Sequence, residues 1–485
     1  MQHAPSDTDG TSGRFSRNVR WLTASSIFYR VVSVLLAMYI ARRLGAGILG
    51  QYAAVTNILT LYLSFADLGI TNLVIRDVSR DRGRSQATLD TFFGVQFLSA
   101  LVLAAASLAT GMLAGFGSQA QIALAVGAAG LVASALATVF NALLSAHERI
   151  YPFAVIELVC LIVFTAGNIA VVVHGGGLVA LVGVTTAVSL VKVALGASWA
   201  ARHGLVVRGM PSWRTAAGLL AAGLPFLLIN GAHYAVQRLD VVLLTAMAGD
   251  ERTGVYAASS RLVFASLFFV SAVGTALYPV FSRLLAGARE KAREVYERGT
   301  VVLVAAAAVA ALLFRQLAPV LISLLYGEGY EEAAPVLRLL ALYIPLFAWG
   351  LLASNVLMTG GHAWHAVAVS VAALVVMLVA TPLLIGRFDL RGAAFGVVLA
   401  EMVATAGYVI AARRVFDGGF RRGRVAASVF LLFLVSSQVG DFLPMGVGAA
   451  GSLLIFLVSL HMLGLVRIDD IRRIVPRDDP GEVRA

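Results

Sequence analysis

The chain has 485 residues, of which 59% are hydrophobic and only 13% are charged, and its formal net charge is +11. Soluble domains are about 25% charged, so this composition cannot cover a water-soluble globule and excludes a soluble enzyme. The positive charge does not indicate nucleic-acid binding, because the arginines form short clusters between apolar runs, as in cytoplasmic loops of membrane proteins. The one cysteine, Cys160, excludes a disulfide framework and a Cys/His metal site.

The N-terminal residues 1–18 are polar and precede an apolar run that is too long for a cleaved signal peptide. We interpret them as a cytoplasmic tail before an uncleaved first span. A membrane-spanning helix needs about 20 mainly apolar residues, and the sequence predicts fourteen such runs. They lie near 19–41, 49–75, 89–114, 119–146, 151–173, 177–200, 214–247 (with a turn), 254–281, 300–323, 333–358, 363–385, 391–412, 425–440 and 445–465.

Arginine and lysine concentrate in the loops that follow the second, fourth, sixth, eighth and twelfth runs and in both tails. This bias predicts that these loops and both termini are cytoplasmic. The longest such loop, Ser282 to Gly299, alternates apolar and charged residues and predicts an amphipathic helix at the membrane surface.

The sequence contains an internal repeat. GQYAA at 50–54 recurs as GVYAA at 254–258, an offset of 204 residues. Asn141 and Gly183 recur as Asn355 and Gly396. Six spans separate the copies, an even number, so they point the same way as a parallel repeat. We predict an all-α polytopic fold of about 14 helices, with two six-helix lobes around a central cavity. The predicted boundaries are a tail at 1–18, lobes at 19–209 and 210–415, two added helices at 416–466 and a second cytoplasmic tail at 467–485.

Four stretches resemble a known family. They are ARRLGAGILGQYAAV…FADLGITNLVIRDVSR, RLDVVLLTAMAGDERTGVYAASSRL…ALYPVFSRL, LLYGEGYEEAAPVLRLLAL and DLRGAAFGVVLAEM. Their order and spacing are similar to those of the polysaccharide-exporter (Wzx-type flippase) family of the multidrug/oligosaccharidyl-lipid/polysaccharide (MOP) superfamily. The resemblance implies a bacterial inner-membrane protein that flips an undecaprenyl-diphosphate-linked oligosaccharide by alternating access. The glycan could be O-antigen, exopolysaccharide, teichoic acid or a related polymer, and a polysaccharide polymerase and glycosyltransferases are the implied partners, beside membrane lipids.

Charged residues inside spans are costly to insert and are therefore candidates for function. A lipid diphosphate needs fixed cations, and guanidinium groups match phosphate oxygens in a bidentate manner. We predict Arg30 and Arg261 as the main substrate-binding residues. The lesser candidates are Arg238, Arg338 and Lys192. Structural roles stay open for these three, since Arg238 could pair with Asp240 and Lys192 could reach the membrane surface.

Four intramembrane carboxylates, Asp67, Asp240, Glu157 and Glu401, are candidates for ion coupling, because a buried carboxylate can take up a proton or Na⁺. Their alternative role is to neutralise the arginines. Polar residues on the seventh run, Asn230, His233, Gln237 and Asp240, recur at helical spacing and must face another helix or a wet cavity. The sequence has no Walker A pattern, and no cofactor or bound metal is expected.

Two other functions compete with a flippase. A multidrug/cation antiporter of the same superfamily would share the fold, but a cavity for cationic drugs should be more acidic than five intramembrane basic residues suggest. A membrane oligosaccharide polymerase or ligase needs a long periplasmic loop with catalytic groups, and the predicted outward loops are short. The sequence therefore favours a transporter over an enzyme.

Overall fold

The computed structural model describes residues 8–66, 85–147, 150–209, 231–416, 423–441 and 445–463, and the single positions 71, 74–75, 78–79, 81, 83, 214, 217–218, 228 and 465. These residues form helices joined by short turns and contain no β-strand. The helices are α1 (Thr8–Ala66), α2 (Ser85–Leu113), α3 (Ser118–Ala146), α4 (Ile150–Val173), α5 (Leu178–Arg202), α6 (Leu239–Ala248), α7 (Asp250–Gly287), α8 (Arg289–Gln316), α9 (Ala318–Tyr326), α10 (Ala333–Leu340), α11 (Tyr343–Thr359), α12 (Ala363–Phe388), α13 (Leu390–Ala412), α14 (Gly423–Asp441) and α15 (Met445–Met462).

The apolar length of these helices suits a membrane. Within the described ranges, ten helical segments are long and apolar enough to cross a bilayer, and α14 and α15 hold two shorter apolar helices. The predicted all-α polytopic fold is confirmed. The predicted surface helix over Ser282–Gly299 is wrong, because the helical geometry breaks at Ala288 (φ −141°, ψ 60°). The charged residues after the break form the first turns of α8, which continues into an apolar segment.

The chain divides into two compact units, Met1–Gly231 and Ala232–Ala485. In unit 1, Val95 and Phe92 of α2 pack with Phe140 and Leu143 of α3 in one apolar cluster. A second cluster joins Ala66 of α1 to α2 and α3. A third joins α4 and α5 around buried Cys160, with Leu144 from α3. The core of unit 1 is therefore assembled mainly from apolar side chains.

Unit 2 adds polar contacts between its helices. The Asn355 side chain of α11 donates to the Gly274 carbonyl of α7 at 2.9 Å. Ser259 of α7 donates to the Ala333 carbonyl of α10 at 2.6 Å. Gln316 at the end of α8 donates to the Ser437 carbonyl of α14 at 3.1 Å. Polar groups buried in a membrane protein need partners inside the protein, and these side chains find them on neighbouring backbones.

The repeat has a backbone signature. Gly45 divides α1 into two helices, and Gly249 separates α6 from α7. Gly45 has φ 79° and ψ 176°, and Gly249, 204 residues later, has φ 85° and ψ 177°. This region of backbone space is essentially restricted to glycine. The two units therefore make the same turn at equivalent positions, and a glycine is required at both.

A shared helix crossing also relates the units. Thr186 of α5 donates to the Val126 carbonyl of α3 at 3.0 Å, and Thr405 of α13 donates to the Leu346 carbonyl of α11 at 2.9 Å. Four residues after each acceptor lies a glycine, Gly130 in unit 1 and Gly350 in unit 2. A Cβ at either glycine would lie within 3.0 Å of the hydroxyl oxygen of the donating threonine. Small residues let membrane helices approach closely, and this packing occurs in both units.

Candidate functional site

Asp240 is a fully buried carboxylate near the start of α6 in unit 2. One carboxylate oxygen accepts a hydrogen bond from the Tyr256 hydroxyl of α7 at 2.6 Å. The other accepts from the Val241 backbone amide at 2.8 Å. Arg238, two residues earlier, contributes a nearby positive charge. Burial of a carboxylate costs several kcal/mol unless hydrogen bonds and charge compensate it, and all three groups serve that purpose here.

The hydroxyl contact between α6 and α7 continues toward Gly249. Thr245 of α6 donates to the hydroxyl of Thr253 in α7 at 3.1 Å. Thr253 donates to the Gly249 carbonyl at 2.9 Å. Both threonines are buried. The helices α6 and α7 are thus joined by two polar contacts, Thr245–Thr253 near the turn at Gly249 and Asp240–Tyr256 farther along.

A second buried carboxylate, Glu401, lies on α13 of the same unit. It interacts with the hydroxyls of Tyr343 and Thr405. The Gln237 amide donates to the Tyr343 hydroxyl at 3.4 Å and lies 2.9 Å from a ring nitrogen of His233. A chain of polar side chains therefore runs from residue 233 through α11 to α13.

The aromatic residues around this chain restrict its geometry. The His233 ring stacks on Phe347 with centroids 5.5 Å apart. Phe347 also stacks on Tyr343 at 5.9 Å. Gly350 packs beside Glu401, since a Cβ at that position would lie 3.5 Å from the carboxylate oxygen, an ordinary van der Waals distance. We refer to Asp240, Tyr256, His233, Gln237, Tyr343 and Glu401 as the acidic cluster of unit 2.

The basic candidates of unit 2 do not join the acidic cluster as a group. Arg238 is half-buried beside Asp240. Arg261, in α7, is half-buried and electrostatically close to Tyr326 at the end of α9. Arg338 is half-buried in the last turn of α10, and its buried Nε has no hydrogen-bond partner among the described residues. Of the three, Arg238 is shown beside a member of the cluster by its interaction with Asp240.

In unit 1 the structure brings together two candidates that the sequence assigned to different roles. The Lys192 ammonium of α5 contacts both carboxylate oxygens of Glu157 in α4, at 2.8 and 3.0 Å. Both side chains keep about a third of their surface or less exposed, 27% and 32%. The close pairing gives each charge a partner within the unit, so Lys192 and Glu157 form one structural pair.

Three predicted residues lie outside what the structure describes. The side chain of Arg30, in α1, is one. Asp67 and Asn230 are the others. The predicted substrate-binding and ion-coupling roles of all nine candidates stay predictions.

The sequence analysis missed the two tyrosines that complete the cluster. Tyr256 was visible only as part of the GVYAA repeat, and Tyr343 begins an apolar helix. A signal for Tyr256 was present in the repeat: with the 204-residue offset, Asp240 corresponds to Leu36 while Tyr256 corresponds to Tyr52. The repeat thus singles out Tyr256 as a residue of both copies and Asp240 as a residue of one, but the contact between them is visible only in the structure.

Comparison with known families now identifies the chain's relatives. A family model described as polysaccharide biosynthesis protein matches residues 15–285. The chain belongs to this family. A second model, MatE, matches residues 225–385. The two matches together confirm the family resemblance stated from the sequence. A search among curated protein sequences finds no match.

Solved structures share the fold of this polysaccharide biosynthesis family member. A multidrug resistance MATE family transporter of the MOP superfamily in an inward-facing conformation has a TM-score of 0.66 at 16% identity, covering 82% of this chain and 98% of that one. The lipid II flippase MurJ, in an inward closed conformation, has a TM-score of 0.66 at 12% identity, covering 92% and 99%. A MOP superfamily transporter from Pyrococcus furiosus has a TM-score of 0.57 at 17% identity, covering 83% and 94%. The protein is thus a multi-pass membrane protein with the MOP fold.

Proposed function

We propose that this protein flips an undecaprenyl-diphosphate-linked oligosaccharide across the bacterial inner membrane by alternating access, in the synthesis of a cell-surface polysaccharide. The observation that carries the proposal is the match of the polysaccharide biosynthesis protein family over residues 15–285. The similarity to a lipid II flippase over 92% of this chain is consistent with it in fold. A polysaccharide polymerase and glycosyltransferases are the proposed partners.

The proposed substrate carries concentrated negative charge, so its passage requires fixed cations. Arg261 is a half-buried guanidinium in a helix long and apolar enough to span a membrane. Arg30 lies in the helix at the start of the first repeat. Their equivalents at the 204-residue offset, Asn57 and Tyr234, are uncharged. A charged residue that occurs in only one copy of the repeat is expected if it binds the substrate rather than stabilising the fold.

The direct test is complementation of a flippase-deficient strain by Arg30→Ala and Arg261→Ala. Each arginine is expected to contribute about 1.5–3 kcal/mol through charge-assisted hydrogen bonds, so each alanine variant should weaken substrate binding about tenfold to a hundredfold. Surface glycan should fall accordingly, and lysine should restore it only in part because an ammonium lacks the planar fork.

Arg252→Ala is a matched control, since Arg252 forms ion pairs with Glu332 and Asp389 at a half-exposed site. Its surface glycan should stay near the wild-type level. Full glycan from both Arg30→Ala and Arg261→Ala, at normal membrane abundance, would contradict the binding role. Reduced abundance would assign these arginines a structural role instead.

We also propose that Asp240, with Glu401, couples transport to a proton or sodium gradient. Asp240 is fully buried, yet its compensation comes from a tyrosine hydroxyl, one amide and one neighbouring charge. A carboxylate held in this way can exchange a proton or cation at modest cost. Asp240→Asn keeps the shape and removes the exchangeable charge, so gradient-driven transport is expected to weaken while the protein stays folded.

A multidrug or cation antiporter is the second candidate function. The MatE match at residues 225–385 and the two buried carboxylates of unit 2 favour it. The same strain distinguishes the two functions. Restored surface glycan without increased resistance to cationic dyes supports the flippase, and dye resistance without restored glycan supports the antiporter.

We propose that both termini are cytoplasmic, because arginine and lysine concentrate in alternate loops and in both tails. Reporter fusions after Arg208 and Arg298 should then report the cytoplasm. A periplasmic signal at both positions would reverse the orientation.

A further inference from the structure

Five helix ends of unit 2 surround a cavity of about 380 Å³. The ends of α7, α11 and α13 and the beginnings of α8 and α12 meet there, so the cavity lies on one face of the unit. The arginine bias predicts that this is the cytoplasmic face. None of the acidic cluster residues lines the cavity, which makes it a separate feature of the unit.

The charged lining of the cavity has a single sign. Arg289, the first residue of α8, lines one side, and Arg414, just after α13, lines another. His362, which precedes α12, adds an imidazole. The lining residues in the described part of the chain include no carboxylate. A concave site lined by charge of one sign concentrates the electrostatic potential and attracts the opposite charge.

Contacts among the residues at this face orient the side chains of Arg414 and His362. Arg414 contacts a ring nitrogen of His365, in the first turn of α12, through its guanidinium. The His362 ring lies against that of His365, with centroids 5.6 Å apart, and its Nδ1 lies 2.9 Å from the Gly360 carbonyl. Because a carbonyl oxygen only accepts, Nδ1 donates that bond, and the other ring nitrogen of His362 is left as an acceptor for a hydroxyl group of the ligand. The polar groups are thus held in place before any ligand arrives.

The fold also maintains the space between them. Gly360 lines the cavity next to Val415, and a Cβ at Gly360 would lie 2.9 Å from a methyl carbon of Val415 and 2.8 Å from the Val356 carbonyl. The beginnings of α8 and α12, helices of 28 and 26 residues, add the partial positive charge of helix N-termini. Guanidinium groups and helix N-termini both donate to the oxygens of a phosphate group.

We propose that this cavity is a binding site for a phosphate group, either inorganic phosphate or the headgroup of an anionic phospholipid in the adjoining leaflet. Arg289 and Arg414 hold the phosphate oxygens from two sides, and His362 contributes a further hydrogen bond. The site is independent of the proposed flippase activity, because it requires only the residues at this face of unit 2.

The test measures ligand-dependent thermal stability of the full chain in lipid nanodiscs, since a ligand that binds the folded state raises the unfolding midpoint. One arm titrates inorganic phosphate into phosphatidylcholine nanodiscs at constant ionic strength. The other replaces increasing fractions of phosphatidylcholine by phosphatidylglycerol in phosphate-free buffer. A response in the first arm alone assigns free phosphate, and a response in the second alone assigns the lipid headgroup. A response in both supports the shared chemistry.

The variants Arg289→Gln and Arg414→Gln should weaken the response at least tenfold in apparent affinity, since each removes a charge-assisted contact. Arg413→Gln is the matched control: it is exposed, adjacent in sequence and does not line the cavity, so its affinity should stay within about twofold of wild type. If Arg414→Gln lowers the midpoint without ligand, Arg289→Gln decides the test. No response of the wild type to either probe would overturn the proposal, and so would equal weakening by Arg413→Gln and Arg414→Gln.

Discussion

The two units use the same turn and the same helix crossing, but they fill them differently. Beside the turn, unit 2 places Asp240 where unit 1 has Leu36, and both residues are buried. At the crossing, with the offset between Thr186 and Thr405, Glu401 stands where unit 1 has buried Val182. The geometry of the repeat therefore does not need carboxylates. Their presence in one copy is consistent with the proposed role in coupling.

The threonines beside the turn support the same conclusion. Thr245 and Thr253, which hydrogen-bond across the turn, correspond to Ala41 and Leu49. All four are buried. The backbone of the turn is the same in both units, although the side chains inside it are apolar in unit 1 and polar in unit 2. The turn therefore tolerates either kind of interior. The two units therefore differ in the polarity of this interior and not in the backbone of the turn.

The largest effect is expected from placing an acid in the apolar copy. Leu36→Asp should destabilise unit 1 by about 3–5 kcal/mol, because it buries a carboxylate that unit 1 has not been built to compensate. Asp240→Leu in unit 2 removes the charge and leaves the Tyr256 hydroxyl without its acceptor, at a cost of about 1–3 kcal/mol.

Each variant is solubilised in detergent and heated, and the fraction of folded protein that remains is measured by size-exclusion chromatography. The thermal midpoint is the temperature at which half of the protein is lost. Asp240→Leu combined with Tyr256→Phe is the control: it removes both hydrogen-bonding partners and should recover part of the loss. If Leu36→Asp is as stable as the wild type, the surroundings of Leu36 in unit 1 accommodate a carboxylate as well as those of Asp240 in unit 2 do.

A smaller effect should separate two glycines that the sequence pairs at an offset of 213 residues (396 − 183), whereas the helix crossing relates the same helices at 219 (405 − 186). A Cβ at Gly396 of α13 would lie 2.1 Å from the Thr381 hydroxyl oxygen, whereas a Cβ at Gly183 of α5 meets no atom within 4 Å. Gly396→Ala should therefore cost about 1–3 kcal/mol by overpacking. Gly183→Ala should be neutral or stabilising by up to about 1 kcal/mol, since alanine is the better helix former. Equal thermal midpoints of the two variants would show that the two glycines are equivalent.

The smallest difference between units is expected at the turn glycines. Gly45→Ala and Gly249→Ala each force alanine into a backbone region that costs about 1–3 kcal/mol. Because the angles at the two positions agree within a few degrees, their midpoints should fall by similar amounts. A loss confined to one of them would show that the turns are under different constraints.

The sequence was informative about the fold because apolar length and the internal repeat are one-dimensional signals. The predicted run at 119–146 became α3 at Ser118–Ala146, and the GQYAA and GVYAA copies led to equivalent turns. The candidate site was less accessible. Contacts such as those of Glu157 with Lys192 or Asp240 with Tyr256 depend on which faces of two helices meet. A single sequence does not specify that rotation.

The Ser282–Gly299 segment shows the same limit at a helix boundary. Its amphipathic pattern is real, yet the backbone break falls at Ala288, within the pattern. Charged residues at the start of a spanning helix and those of a surface helix have the same periodicity. Only the continuation of α8 into its apolar segment distinguishes them.

The most direct test of the transport function is leaflet exchange in proteoliposomes. A fluorescent undecaprenyl-diphosphate oligosaccharide is incorporated in both leaflets, a proton or sodium gradient is imposed, and an impermeant quencher reports the fraction in the outer leaflet. We predict that the wild type shifts this fraction in a gradient-dependent manner and that Asp240→Asn, at equal abundance, loses the dependence. Exchange no faster than in protein-free liposomes would contradict the flippase function, and gradient-dependent exchange by Asp240→Asn would contradict the role of the acidic cluster.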